Sequence, residues 1–217
     1  MIDLSHRITS GMTVFPGDPD VHLAPALTVE RDGVAGAKVG MGSHTGTHLD
    51  APSHTVAGGR TLEGITLDEL CGEALVIRVT GAREGQALDE RDLGLEQFDR
   101  VPRIVAVHTG WDRHFGTPQY LRHPFLTRGA AEGLCARGMH LLAVDVLNPD
   151  RTPDGQEDVE FEVHEVVLGS DRLIVENVRG LDLVPDRVRL GFFPLKLGAV
   201  DGAPIRAVAF TGDDVAG

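Results

Sequence analysis

Five short apolar runs constrain this chain more than any other feature: residues 74–79, 104–108, 141–146, 173–178 and 205–210. Each is rich in Val, Ile, Leu or Ala and bounded by Gly, Pro or Asp, which is the signature of buried strands. Helical patterns are fewer. The spacing predicts a helix over 128–137, with Thr127 as N-cap and Gly138 as stop, and a second over 161–168, closed by Gly169. Residues 66–70 read as a single helical turn. Asp201-Gly202, between Leu195-Lys196-Leu197 and the last run, reads as a hairpin turn. The polar stretch 149–160 reads as an exposed loop. The expectation is an α/β fold with a large irregular share, marked by 27 glycines and 12 prolines. A length of 217 residues suits one domain spanning 1–217.

Charge removes several classes of function. Against 33 acidic residues stand 20 Lys and Arg, a formal net charge of −13. Such a surface repels phosphate backbones and anionic lipid, so neither nucleic acid nor membrane is expected as a partner. No apolar run approaches the ~20 residues of a membrane span. The start, Met1-Ile2-Asp3-Leu4-Ser5-His6, lacks the basic and apolar segments of a signal peptide. Cys71 and Cys135 lie in apolar settings without a CxxC partner. They read as reduced residues of a cytoplasmic protein.

Chemistry concentrates in residues 44–54, Ser43 being followed by His44-Thr45-Gly46-Thr47-His48-Leu49-Asp50-Ala51-Pro52-Ser53-His54. Three histidines and an aspartate in eleven residues is dense. Thr45-Gly46-Thr47 are weak helix formers and Pro52 disfavours a helical Ala51, so the segment is extended or looped. In an extended chain His48 and Asp50 point the same way, and Gly46 lets the backbone bend so that His44 joins them. Two imidazoles and a carboxylate suit a divalent transition metal: zinc first, with manganese, iron or cobalt as alternatives. Partners have to come from elsewhere. Glu176 sits in the apolar run 173–178, where a carboxylate is costly unless paired or metal-bound. His164 lies on the short helix before that run. Spacing alone leaves open an outward-facing Glu176 and an ordinary His164.

The segment resembles the signature H-x-G-T-H-x-D-A-P-x-H of the bacterial kynurenine formamidase and cyclase family of metal-dependent hydrolases, and matches it throughout. Phe15-Pro16-Gly17-Asp18 is similar to the family's N-terminal aromatic-Pro-Gly-Asp turn, and Thr109-Gly110-Trp111-Asp112-Arg113 to its mid-chain loop. His164, twelve residues before Glu176, resembles its second ligand pair. Pro194-Leu195-Lys196-Leu197 with Asp201-Gly202 resembles its C-terminal hairpin. The resemblance implies a mixed β-barrel-like sheet flanked by helices, of the swivelling β/β/α kind, in a homodimer or larger homo-oligomer. It implies His44, His48 and Asp50 as ligands of a first metal. Asp50 and Glu176 would reach both metals, and His164 would bind the second. Two zinc ions are the first reading, with manganese, at a single site in some members, as the alternative. His54 would be the catalytic acid/base, and Phe15 would line the substrate pocket where kynurenine formamidases tend to have tryptophan.

General chemistry points the same way. A divalent ion acidifies water and polarises a carbonyl, and an amide's leaving nitrogen must be protonated as it departs. His54, beyond the rigid Pro52, could carry that proton, or could serve as a further ligand. Phe15 and Trp111 could wall a pocket for an aromatic amide, although a lone tryptophan is as often a packing residue. The expected activity is hydrolysis of an N-formyl arylamine such as N-formylkynurenine. Alternatives are hydrolysis of a cyclic amide such as isatin or of a lactone, a polyketide-type cyclase, and a metal-binding protein without turnover. His108 reads as structural.

Overall fold

The computed structural model describes residues 1–153 and 160–212. Its strands are β1 (Ile2–Asp3), β2 (His22–Leu27), β3 (Gly36–Gly40), β4 (His48–Asp50), β5 (Cys71–Arg78), β6 (Ala87–Leu88), β7 (Ile104–His108), β8 (Phe125–Leu126), β9 (Leu141–Val144), β10 (Leu173–Glu176), β11 (Arg187–Pro194) and β12 (Gly202–Phe210). Its α-helices are α1 (Val29–Asp32), α2 (Leu67–Leu70), α3 (Arg128–Ala136) and α4 (Glu162–Gly169). All five runs expected as strands are strands, and both longer helices are present. Thr127 caps α3, its side chain accepting from the Ala130 N–H, and Gly138 just beyond the helix has φ +102°. At α2, Thr66 and Glu69 form a reciprocal capping box.

The main sheet runs β1-β12-β11-β5-β7-β9-β10-β4, and β4 pairs back onto β12. That pairing closes a seven-stranded mixed barrel. Strands β5, β7, β9 and β10 are parallel neighbours, and the remaining pairs are antiparallel. β12 makes the closure with one half of one edge. Its residues Gly202, Ala203 and Pro204 pair with β4, and Ala209 and Val208 pair with β1.

Alternation along the strands divides the core in two. One cluster fills the barrel with Leu49, Ala74, Val76, Ala106, Ala143, Val175, Leu190, Phe192 and Ala207. The many alanines suit a narrow interior. The other joins Leu75, Ile77, Val105, Leu142 and Ile174 to the helical residues Leu134, Val163 and Val167 outside the barrel. Each large buried aliphatic contributes roughly 1.5–3 kcal/mol. On β4, Leu49 therefore points inward and His48 and Asp50 outward. On β10, Leu173 and Val175 point inward, and Ile174 and Glu176 outward toward α4.

Two expectations need correction. The connection from β11 to β12 is not a two-residue turn at Asp201-Gly202: it spans residues 195–201, and Gly202 is the first residue of β12. The stretch 149–160 is not simply an exposed loop. Asp150 and Thr152 are buried, Asp150 hydrogen-bonded to His164 and Thr152 to Asn148 and His123, and residues 154–159 lie outside the described residues.

Gly202 shows how tightly the barrel shuts. A Cβ there would lie 2.7 Å from the Leu49 carbonyl oxygen and 2.8 Å from the His44 ring. Gly202→Ala is expected to destabilise the protein by about 1–3 kcal/mol, as overpacking does. A urea melt with an unchanged midpoint would show that the closure yields.

Candidate metal centre

β4 lies between β10 and β12, so its register decides what meets. His48 is paired with Glu176 across one ladder, and Asp50 with Gly202 across the other. Gly46, at φ +63°, turns the chain before β4 and brings the His44 ring edge-on to His48, 5.1 Å between centroids. His164 descends from the first turn of α4. The result is a buried group. His48 Nε2 lies 3.2 Å from Asp50 Oδ1 and 3.3 Å from Glu176 Oε2. His164 Nε2 lies 3.3 Å from Glu176 Oε1 and 3.7 Å from Asp50 Oδ2, and His44 Nδ1 lies 2.7 Å from Asp50 Oδ1.

The other nitrogen of each ring is committed elsewhere. His48 Nδ1 donates to the Gly46 carbonyl at 2.8 Å, His164 Nδ1 to Asp150 Oδ2 at 2.6 Å, and His44 Nε2 to Asp201 Oδ2 at 2.8 Å. Those bonds leave His48 Nε2, His164 Nε2 and His44 Nδ1 facing the two carboxylates. This is the outer arrangement that fixes imidazole ligands for a metal. Among the described residues the possible ligand atoms here form three groups, His44/His48/Asp50 and Asp50/His164/Glu176, with Asp50 common to both, and the less buried His44/His54/Asp201.

The electrostatics are those of a site that demands positive charge. Asp50 Oδ2 and Glu176 Oε1 are buried and have no hydrogen-bond partner. Burial pushes the Asp50 carboxyl up, but the surrounding His48, His164 and His44 outweigh it and hold it well below the usual carboxylate range. Burial pushes the His48 and His164 imidazoles down, but the acidic neighbours hold both well above the ordinary histidine value. Imidazolium protons or a divalent cation would neutralise the two carboxylates, and the mixed N/O donor set fits zinc or manganese.

Beside this group opens a pocket of about 740 Å³, within the usual range for small-molecule sites. His44, His54, His164 and Glu176 reach its wall, with Phe15, Asp18, Asn148, Phe161 and Arg128 among the others. The Phe15–Asp18 turn, closed by the Asp18 N–H on the Phe15 carbonyl with Gly17 at φ +102°, puts both ends on that wall. His54 leaves the strand on the short 3-10 turn Pro52–His54 and lies 3.9 Å from His44 between ring centroids.

Trp111 is a correction. It is 2% exposed, belongs to the helix-side core with Val107 and Tyr120, and is not part of the pocket wall. Its loop is tied down because Asp145 accepts from the Thr109 and Gly110 N–H groups and the Thr109 hydroxyl, which turns the indole into the core. His108 stands beside Asp112 and Asp145, away from the pocket lining.

Residues 2–151 match the family described as "Putative cyclase". A kynurenine formamidase of Bacillus cytotoxicus is 30% identical over 209 residues, covering 95% of each chain. The chain belongs to the cyclase family. A solved metal-dependent hydrolase described as potential, with cyclase activity, is 25% identical, with a TM-score of 0.77 and 96% coverage of both chains. Isatin hydrolase A from Labrenzia aggregata, bound to benzyl benzoate, has the same fold at TM-score 0.84 and 23% identity, covering 96% of this chain and 92% of that one. As a cyclase-family member the chain is a hydrolytic enzyme of the amidohydrolase type. Among the described residues no helix is long and apolar enough to cross a membrane.

Two acidic residues in this cyclase-family site escaped the sequence reading. Asp201 looked like turn chemistry and Asp150 like a loop acid. Asp150 also accepts the N–H groups of Val163 (2.7 Å) and His164 (3.2 Å), capping α4 from a distance. The one available signal was an Asn-Pro-Asp sequence directly after an apolar strand. Asp150→Ala removes both the cap and the hold on His164. It is expected to lower stability by about 1–2 kcal/mol, read from thermal melting. An unchanged melt would mean that α4 is held by its apolar face alone.

Proposed function

We propose that this chain hydrolyses the amide bond of an N-formyl arylamine, with N-formylkynurenine as the leading substrate. The reading includes two zinc ions, or manganese instead, with His44, His48 and Asp50 on one side and Asp50, Glu176 and His164 on the other. The observation that carries it is the orientation of the three imidazoles. Each has its outer nitrogen held by an acceptor and its inner nitrogen turned onto Asp50 or Glu176. When bound, the metal would supply a Lewis acid for the carbonyl and an acidified water.

The chain's own residues supply the rest. His54 lines the pocket beside His44 and is the proton carrier. It takes a proton from water as the water oxygen bonds to the formyl carbon. It returns that proton to the aryl nitrogen as the C–N bond breaks, giving a free arylamine and formic acid, which ionises to formate by losing its proton to solvent. Phe15 and Phe161, with ring centroids 6.1 Å apart, offer aromatic walls for the aryl group. Phe15 is smaller than tryptophan, so it bears on which aryl group fits. A homodimer or larger assembly is part of the reading, supported by Leu23, Leu27 and Val39, exposed on the β2–β3 arm. A cytoplasmic setting is supported by the free thiols of Cys71 and Cys135.

Metal removal by chelation is expected to abolish hydrolysis of N-formylkynurenine, and zinc or manganese to restore it, followed by absorbance. Turnover of isatin or a simple lactone in its place would move the substrate to a cyclic amide or ester. Metal-loaded protein inactive on all three would count against catalysis altogether. His54→Ala is expected to lose about 10²–10⁴-fold in kcat with metal content near that of the parent. Asp50→Ala is expected to lose metal, and full occupancy by elemental analysis would remove Asp50 from the ligand set.

A further inference from the structure

Asp201 holds one carboxylate oxygen between two histidines of different roles. Its Oδ2 lies 2.8 Å from His44 Nε2 and 3.1 Å from His54 Nδ1. The carboxylate is itself fixed. Ser43 Oγ donates to its Oδ1 at 3.1 Å, and its own carbonyl accepts the Ala51 N–H at 2.8 Å. The next residue, Gly202, enters the ladder opposite Asp50. Asp201 is thus anchored by the same closure that places the ligands.

An ionised carboxylate can only accept, so each ring must present an N–H to it. His54 then carries its proton on Nδ1 and keeps the Nε2 lone pair free, on a residue that lines the pocket. We infer that Asp201 is the positioning residue for the acid/base His54. It selects the tautomer with basic Nε2 and couples that ring to the ligand His44 through one oxygen. Removing this carboxylate would leave the His54 proton free to occupy either nitrogen. This inference rests on the acid/base role given above to His54. Asp201 does not enter the proton transfer: the proton moves between water, His54 Nε2 and the leaving nitrogen, and Asp201 stays ionised throughout.

The test uses zinc-loaded protein and two independent readouts. Long-range proton–nitrogen NMR of the neutral His54 ring, assigned by its loss in His54→Ala, reports the tautomer without any substrate. The expected result is the Nδ1–H form in the parent and a mixture in Asp201→Ala. An Nε2–H ring in the parent would overturn the inference, whatever the activity. Kinetically, Asp201→Ala is expected to lower kcat by about 10–100-fold, the usual scale for an outer-sphere partner. Asp201 also holds the ligand His44, so the assay is run at saturating zinc, where zinc content and KM should match the parent and the loss in kcat should persist. In a His54→Ala background the same change should cost nothing further, because it acts through that ring. An equal loss in both backgrounds, or a loss cured by excess zinc, would assign Asp201 to His44 and the metal instead. Asp201→Asn keeps the shape and serves if the alanine variant fails to fold. Parent protein inactive on every amide would sink the proposed hydrolysis while the NMR result still decides the tautomer.

Discussion

Two carboxylates, Asp50 and Glu176, are buried on neighbouring strands and share the imidazoles of His48 and His164, with His44 on Asp50 alone. Like charges so placed cannot persist without compensation. Their cost in an empty low-dielectric pocket would be several kcal/mol per ion. The imidazoles of His44, His48 and His164 beside them supply positive charge or hydrogen-bond donors. β4, only three residues long, carries two of these groups and is also the strand that closes the barrel. Pairing on both edges fixes His48 and Asp50 against Glu176 on one side and Gly202 on the other. A strand paired on one edge alone would have a register held by half as many bonds.

The supporting contacts come from distant parts of the sequence. Asp150 follows β9, Asp201 precedes β12, and the Gly46 carbonyl precedes β4. Thr47 adds a brace, donating to the Asn177 carbonyl at 2.6 Å and accepting the His6 N–H at 2.8 Å. Asn177 itself takes φ +57° directly after Glu176, and its side chain bonds to Tyr120 and the Leu147 carbonyl. The backbone therefore turns away as soon as the carboxylate has been delivered, and the turn is held by buried partners.

Much of this was legible in the sequence, for reasons that differ by residue. The runs that became β5, β7, β9, β10 and β12 are apolar on both faces, and such runs announce themselves locally. His44, His48, Asp50 and His54 were legible because they are close in sequence and Thr45-Gly46-Thr47 excluded a helix. β4 was expected only as part of an extended or looped segment, which it bears out, and β11 was not predicted. β4 is too short and polar to carry a strand signal, and β11 places exposed Arg187 and Arg189 among apolar residues. Barrel closure was implied only by family likeness, since it rests on the β4–β12 pairing across some 150 residues. Asp150 and Asp201 were missed because a carboxylate in a loop is usually solvated. What set them apart was the partner each met in space. Trp111 went the other way. Its aromatic character suggested a pocket wall, whereas the Asp145-tied turn beside it sends the ring into the core.

In the proposed reading, with His48 and Asp50 as ligands and His54 as proton carrier, the same geometry separates two jobs along one short segment. Ligands need rigidity, and His48 and Asp50 have it from two ladders and near-complete burial. A proton carrier needs contact with water and room for a substrate. Pro52 ends the strand and opens a 3-10 turn, which moves His54 out of the ladder to the pocket wall, where its side chain keeps 30% of its exposure. His54 lies four positions after Asp50, enough to leave the buried layer and not enough to leave the site. The freedom gained at His54 has to be taken back at one point, or the ring would rotate among useless orientations. Asp201 is placed to do that, from a strand end that the barrel closure already holds still.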